Sequence, residues 1–183
     1  MEVKTTKIPG VLLIRPDIYS DTRGLFTETF SSKRYNDAGI DYEFVQDNLS
    51  HSRKNVIRGL HYQIKKPQGK LVRVTRGRVF DVALDIRLNS PTFGKYFSTI
   101  IDDVNFCQLF LPPGIAHGFC VLSNSADFQY KCTDYYLAGD EGGVLWNDAD
   151  LKINWPTENP IISDQDQIFK KLVDIPENLL PKF

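Results

Sequence analysis

Along most of the chain polar and apolar residues alternate with a period of two rather than 3.6, the pattern of strands that bury one face. The clearest run is LVRVTRGRVFDVALDIR, Leu71 to Arg87, where β-branched and apolar residues alternate with polar ones on both sides of an Arg-Gly pair. That run predicts two strands joined as a hairpin. FCQLFLPPG, HGFCVL, ADFQYKCTDYY and GVLWND continue with short strands, separated by Pro/Gly, Ser/Asn and Gly-Asp turn signals. Upstream, GVLLIRPDIY and GLFTETF predict two more. Helical pattern is scarce. SSKRYNDAG, Ser31 to Gly39, has a Ser cap and a terminal Gly. SDQDQIFKKLV, Ser163 to Val173, has a Ser cap and two early Asp, where the helix dipole favours them. There is no internal repeat, low-complexity stretch or linker. The prediction is a mainly β fold, a sandwich or small barrel, with a few short helices, one of them near the C-terminus. Such a barrel can enclose one small ligand.

Length and charge narrow the classes. At 183 residues, 42% of them apolar, the chain is expected to form one domain over 1–183 with a real core. Lys plus Arg number 22 against 23 Asp plus Glu, a formal net charge of −1. Nucleic-acid and membrane-surface binding call for a basic excess, so neither is expected. Any bound anion must be held by a few placed cations. The N-terminal MEVKTTKIPGVLLIRPD has too short an apolar run for a signal peptide, and no later segment is long enough to span a bilayer. Cys107, Cys120 and Cys132 show no CxxC spacing and read as thiols of a reducing compartment, which predicts a cytoplasmic protein.

Three stretches carry more than a core needs. In PPGIAHGFCVLSN, Pro112 to Asn124, a Pro-Gly turn leads into a strand that begins with His117. This resembles the second conserved box of the cupin superfamily. Metal cupins bring two histidines and a glutamate from a first box. Here that place reads LHYQ, with Gln63 where a second ligand would stand, and His51, His61 and His117 are the whole histidine supply. A metal needs three or four converging ligands, so none is expected.

The second stretch is VIRGLHYQ, Val56 to Gln63, followed by QGKLVR. A regular strand would turn Arg58 and His61 to opposite faces. Gly59 permits a bulge that would bring both to one cavity. The plainer reading is a half-buried histidine satisfied by backbone, but Arg58, Lys70 and Arg73 are many cations for a core strand. In the third stretch, YKCTDYY, alternation would put Tyr130, Cys132, Asp134 and Tyr136 on one face. Tyrosines so placed either pack with the phenol at the rim or serve as a general acid. Spacing alone does not choose.

Taken together, RGLHYQ, QGKLVR, GRVFDVALDIR, SPTFGKY, PPGIAHGF, YKCTDYY and LWND with INWP resemble the dTDP-4-dehydrorhamnose 3,5-epimerase family, and DTRGLFTETF and FVQDNLSHSRKNVIRG fit it too. The resemblance runs over roughly residues 5 to 170. It implies a cupin-type jelly roll and the inversion of C3 and C5 of a 4-keto-6-deoxyhexose carried on dTDP, without cofactor or metal. By matching position His61 is the base, held by Asp166, with Asp164 as the alternative partner. Lys70 stabilises the enolate oxygen and Tyr136 is the acid on the opposite face. Arg23 and Arg58 hold the diphosphate, and Phe26, Glu28, Gln46, Asn48, Tyr130, His117 and Glu141 contact nucleotide or sugar. For His117 a place behind the site with Asp81 is the alternative, and we prefer it to a direct contact. It also implies a homodimer in which a segment of about residues 1–50 crosses to the partner subunit. Two departures stand out: the IKKP loop between Gln63 and Gln68 is short, and ISDQD offers two acids for one role. A single-centre epimerase and a non-catalytic sugar-nucleotide-binding cupin are the competing readings.

Overall fold

Two antiparallel sheets face each other in a computed structural model that describes residues 1–183. In chain order the strands are β1 (Glu2–Thr5), β2 (Leu12–Arg15), β3 (Ile18–Asp21), β4 (Gly24–Thr27), β5 (Gln46–Arg53), β6 (Ile57–Gln63) and β7 (Lys70–Arg76). They continue with β8 (Arg78–Asp85), β9 (Tyr96–Asp102), β10 (Gln108–Leu111), β11 (Ile115–Val121), β12 (Ser125–Cys132) and β13 (Glu141–Gly143). One sheet runs β1-β2-β10-β7-β12-β5 and the other β13-β6-β11-β8-β9. This is the mainly β sandwich that the strand pattern predicts, of the cupin type that the family resemblance implies. Strands β3 and β4 form a separate two-stranded hairpin.

The principal core lies between the sheets, where alternate residues such as Val72 and Val74 of β7 meet Val79 and Ala83 of β8 and Phe119 of β11. Both outer faces are covered as well. Tyr35 of helix α1 (Ser32–Asp37) packs with Leu71 and Phe110 on the back of the larger sheet. The C-terminal segment lays Leu172, Ile175 and Leu180 on Tyr62, Val82 and Leu84 of the smaller one. Central strands are therefore apolar on both faces, which is why β11 is buried along its whole length.

Three local expectations needed correction. Strands β7 and β8 do not form a hairpin: they belong to different sheets, and the Arg-Gly pair is the corner between them. Gly77 has φ +89°, and a Cβ there would lie 2.3 Å from the carbonyl of Ser125. One residue is too few for a two-residue hairpin turn but enough to bend a strand from one layer to the other. The C-terminal helix is a single turn, α2 (Asp164–Gln167), capped by Ser163, whose hydroxyl accepts from the Asp166 N–H. Beyond it Phe169 and Leu172 pack inward and pull the chain off the helical path. Strand β12 ends at Cys132, so Asp134 and Tyr136 do not continue the face that carries Tyr130.

Candidate active site

The site is organised by an irregularity in β6. His117 of β11 pairs with His61 and Phe119 pairs with Arg58, so Gly59 and Leu60 together oppose Gly118. Gly59 has φ +120°, and a Cβ on it would stand 2.6 Å from both the Gly118 Cα and the His117 carbonyl oxygen. Only glycine tolerates that approach. The bulge changes the register by one residue, as anticipated. His61 thus faces the barrel mouth; Arg58, expected in the same cavity, does not line it and donates from Nε to Oγ of Ser52 at 3.0 Å, although its charge acts on the Tyr130 phenol.

His61 is half exposed, and its Nε2 lies 2.7 Å from Oδ1 of Asp166. The other oxygen of Asp166 accepts from the Gly59 N–H at 3.0 Å. One carboxylate therefore pins both the bulge and the imidazole. Asp166 is buried, whereas Asp164 on the same turn is exposed, so geometry selects Asp166 as the partner. Burial works to raise the pKa of Asp166, but the bonds and charge of His61 and the Gly59 amide outweigh it and hold the carboxyl below its ordinary value. Phe169 braces the imidazole edge-on at 5.8 Å between ring centres.

A cavity of about 240 Å³ opens beside this pair, lined by Gln46, Asn48, His61, Tyr62, Gln63, Gln68, Lys70, Tyr130, Tyr136 and Glu141. Lys70, first residue of β7, projects its ammonium over the Tyr130 ring at 5.9 Å from the centroid. Desolvation pushes the Lys70 pKa down, against weaker upward effects of Cys132, Asp81 and Glu141. Desolvation likewise pushes the Tyr130 phenol up. Gln46 donates to Asn48 at 3.0 Å and accepts from the Tyr136 N–H at 2.9 Å, tying the rim loop to β5. The short IKKP loop does not keep Lys70 from the cavity.

Not every expected residue is gathered here. His117 is buried, donates from Nε2 to Oδ2 of Asp81 at 2.9 Å and stacks on Phe128, but it does not line the cavity where substrate contact was expected of it. Arg23 and Phe26 sit on the β3–β4 hairpin, where the Arg23 side chain is 88% exposed and bonded to Asp21. Glu28 follows that hairpin and pairs with Arg34 at 3.0 Å. Within one chain these three do not reach His61. Gln63 and Gln68, by contrast, line the cavity without having been assigned a role there. Gln63 is two residues from His61 on one strand, and that period alone places both on one face.

The family model described as dTDP-4-dehydrorhamnose 3,5-epimerase matches residues 5–174. The protein of that name from Shigella flexneri is 50% identical over 176 residues, covering 95% of this chain and 97% of its own. A dTDP-4-dehydrorhamnose 3-epimerase from Streptomyces niveus is 39% identical over 169 residues, covering 91% of this chain and 82% of its own. Among solved structures, dTDP-6-deoxy-D-glucose-3,5-epimerase of Legionella pneumophila Philadelphia 1, in complex with dTDP-4-keto-L-rhamnose, is 49% identical. It superposes with a TM-score of 0.97 over 100% of this chain and 98% of its own.

Proposed function

The chain belongs to the dTDP-4-dehydrorhamnose 3,5-epimerase family, and from that premise we propose that it inverts C3 and C5 of dTDP-4-keto-6-deoxyglucose to give dTDP-4-keto-L-rhamnose. The observation that carries the reading is the His61–Asp166 pair at 2.7 Å on the wall of a cavity that also holds Lys70 and Tyr130. Both C–H bonds to be broken flank the C4 ketone, so the electron pair left by each departing proton moves onto the ketone oxygen. The substrate is its own electron sink.

Roles follow from geometry. Because Nε2 of His61 faces a carboxylate, that nitrogen carries the resting proton and the Nδ1 lone pair is free to take one from carbon. Asp166 then stabilises the imidazolium. Lys70 lies where a fixed cation can stabilise an enolate oxygen, an effect worth several kcal/mol in a desolvated site. Of the two tyrosines, Tyr130 suits the opposite-face acid better than Tyr136. It lies inside the cavity beside Lys70, whereas the Tyr136 side chain stands at the rim and is 51% exposed. Tyr136 offers a flat face to the nucleotide instead. At about 240 Å³ the cavity is below the roughly 300–1,000 Å³ of sites that enclose whole drug-sized ligands, so it takes the hexose and leaves the nucleotide outside.

The nucleotide needs a second wall, and we assign it to another copy of the chain in a homodimer. The β3–β4 hairpin exposes Tyr19, Leu25 and Phe26 at 61%, 54% and 68%. These apolar residues, with Arg23 beside them, suit stacking and diphosphate binding across an interface. The protein is read as a single cupin-like domain working in the cytoplasm, and no helix is long and apolar enough to cross a membrane.

The test is proton NMR in D₂O with dTDP-4-keto-6-deoxyglucose. Deuterium entering at both C3 and C5 is expected. Entry at one carbon would select a single-centre epimerase, and dTDP binding without exchange would select a non-catalytic sugar-nucleotide-binding protein.

A further inference from the structure

Gln63 is 6% exposed, lines the cavity two residues along β6 from His61, and has a buried carbonyl oxygen with no protein donor in reach. Its amide orientation is fixed from behind. Nε2 lies 3.4 Å from Oδ2 of Asp140. That carboxylate also receives the backbone N–H groups of Lys65 at 3.0 Å and Lys66 at 3.1 Å. A carboxylate held by amide N–H groups offers only acceptor oxygens, so the NH₂ end of Gln63 must face it. The carbonyl end must then point away. An acceptor left buried and unmatched destabilises the fold, and such groups in native proteins call for an explanation.

We propose that Gln63 is a specificity-determining residue whose Oε1 accepts a hydrogen bond from the C2 hydroxyl of the bound hexose, with Asp140 as the positioning residue that holds the amide in that orientation. This rests on the epimerase reading above. A hexose with a ketone at C4 and no hydroxyl at C6 offers hydroxyl donors only at C2 and C3. The C3 hydroxyl changes sides of the ring when C3 inverts, so a rigid acceptor could serve it in only one epimer. The C2 hydroxyl keeps its configuration throughout and can anchor the ring while C3 and C5 change. His61 and Gln63 on one strand face thus divide the work: one takes a proton from the reacting carbon and the other holds its unreacting neighbour.

The test compares dTDP-4-keto-6-deoxyglucose with its 2-deoxy counterpart, reading kcat/KM from solvent deuterium exchange, in the wild-type protein and in Gln63→Met. The wild type should favour the parent substrate by about 10–100-fold, the worth of one buried hydroxyl contact. Gln63→Met, of similar volume but without the acceptor, should lose a comparable factor on the parent and treat the two substrates within about 3-fold of each other. Equal kcat/KM for both substrates in the wild type overturns the assignment even if the variant does not fold. So does a Gln63→Met protein that keeps its full discrimination. Failure of the wild type to exchange either substrate is a separate outcome that overturns the epimerase reading and this assignment with it.

Discussion

Lys70 and Tyr130 meet diagonally across the β7–β12 pair, with the Lys70 ammonium 5.9 Å from the centre of the Tyr130 ring and no carboxylate within ion-pair distance of the amine. The arrangement concentrates a cation and a phenol proton on the same wall of the cavity. Tyr136 reaches the same cavity from the rim loop rather than from the strand face that carries Tyr130. Tyr130→Phe should lower kcat by about 10²–10⁴-fold, the usual loss when a general acid is removed. Tyr136→Phe should keep kcat within about 3-fold, since a phenyl ring still stacks. Steady-state kinetics on the two variants decides between them. The opposite ranking would return the acid role to Tyr136.

Lys70 bears on stability as well as on rate. Burial lowers its pKa, so the unfolded chain binds this proton more readily than the folded one. The sign follows: the penalty is fully present below the folded pKa and fades as pH rises through it to the unfolded value of 10.5. Lys70→Met should abolish turnover yet stabilise the fold by about 1 kcal/mol or more, or about 2–4 °C in Tm. Thermal melts of the two proteins at neutral pH would show it. A lower Tm for the variant would mean that the amine is better satisfied in the fold than its surroundings suggest.

Asp166 has the opposite sign. Its folded pKa lies below the ordinary carboxylate value of 3.8, so its contribution to stability is complete above that value and is lost as pH falls through the folded pKa. Asp166→Asn should therefore flatten the acid limb of a stability-against-pH curve below about pH 4, and denaturant titrations across that range measure the slope. It should also lower kcat by about 10²–10³-fold, because an asparagine cannot stabilise the imidazolium that His61 becomes. A normal rate with a changed acid limb would leave Asp166 only the task of pinning Gly59.

Strands were legible in the chain because their alternation is local, and their sheet partners were not. Leu71 to Arg87 reads as a hairpin by pattern, yet the turn is one glycine and the two strands enter opposite layers. Only the packing of Val74 and Val79 across the core decides that. The His61–Asp166 pair spans 105 residues of sequence and came from family resemblance rather than from spacing. The Gly59 bulge was legible, since glycine is the one residue that permits it, but Arg58 bonds Ser52 rather than sharing the cavity with His61. Asp140 was not, because its role depends on loop amides that carry no mark in the sequence. Tyr136 was misplaced for a related reason: extrapolating a strand beyond Cys132 assumed a regularity that the rim loop does not keep.

The β3–β4 hairpin, assigned above to the site of a partner subunit, exposes a surface that argues for that assignment. Arg23 bonds only its hairpin neighbour Asp21 and Phe26 stands exposed, although their residue types suit a diphosphate and a base. A protein that kept them there for solvent alone would carry an exposed apolar patch with no benefit. Phe26→Ala with Arg23→Ala should raise KM for the dTDP-sugar by about 10-fold or more while changing kcat little, because neither group touches the reacting carbons. Mixing that double variant with His61→Asn, which is inactive by itself, should restore a fraction of wild-type kcat/KM if each site draws its hairpin from the other subunit. Half of the sites in a heterodimer would then combine an intact His61 with an intact hairpin. Subunit exchange followed by kinetics at substrate well below KM measures this directly. If the hairpin served its own chain's site, no such site would form and the mixture would show only the activity of its parts.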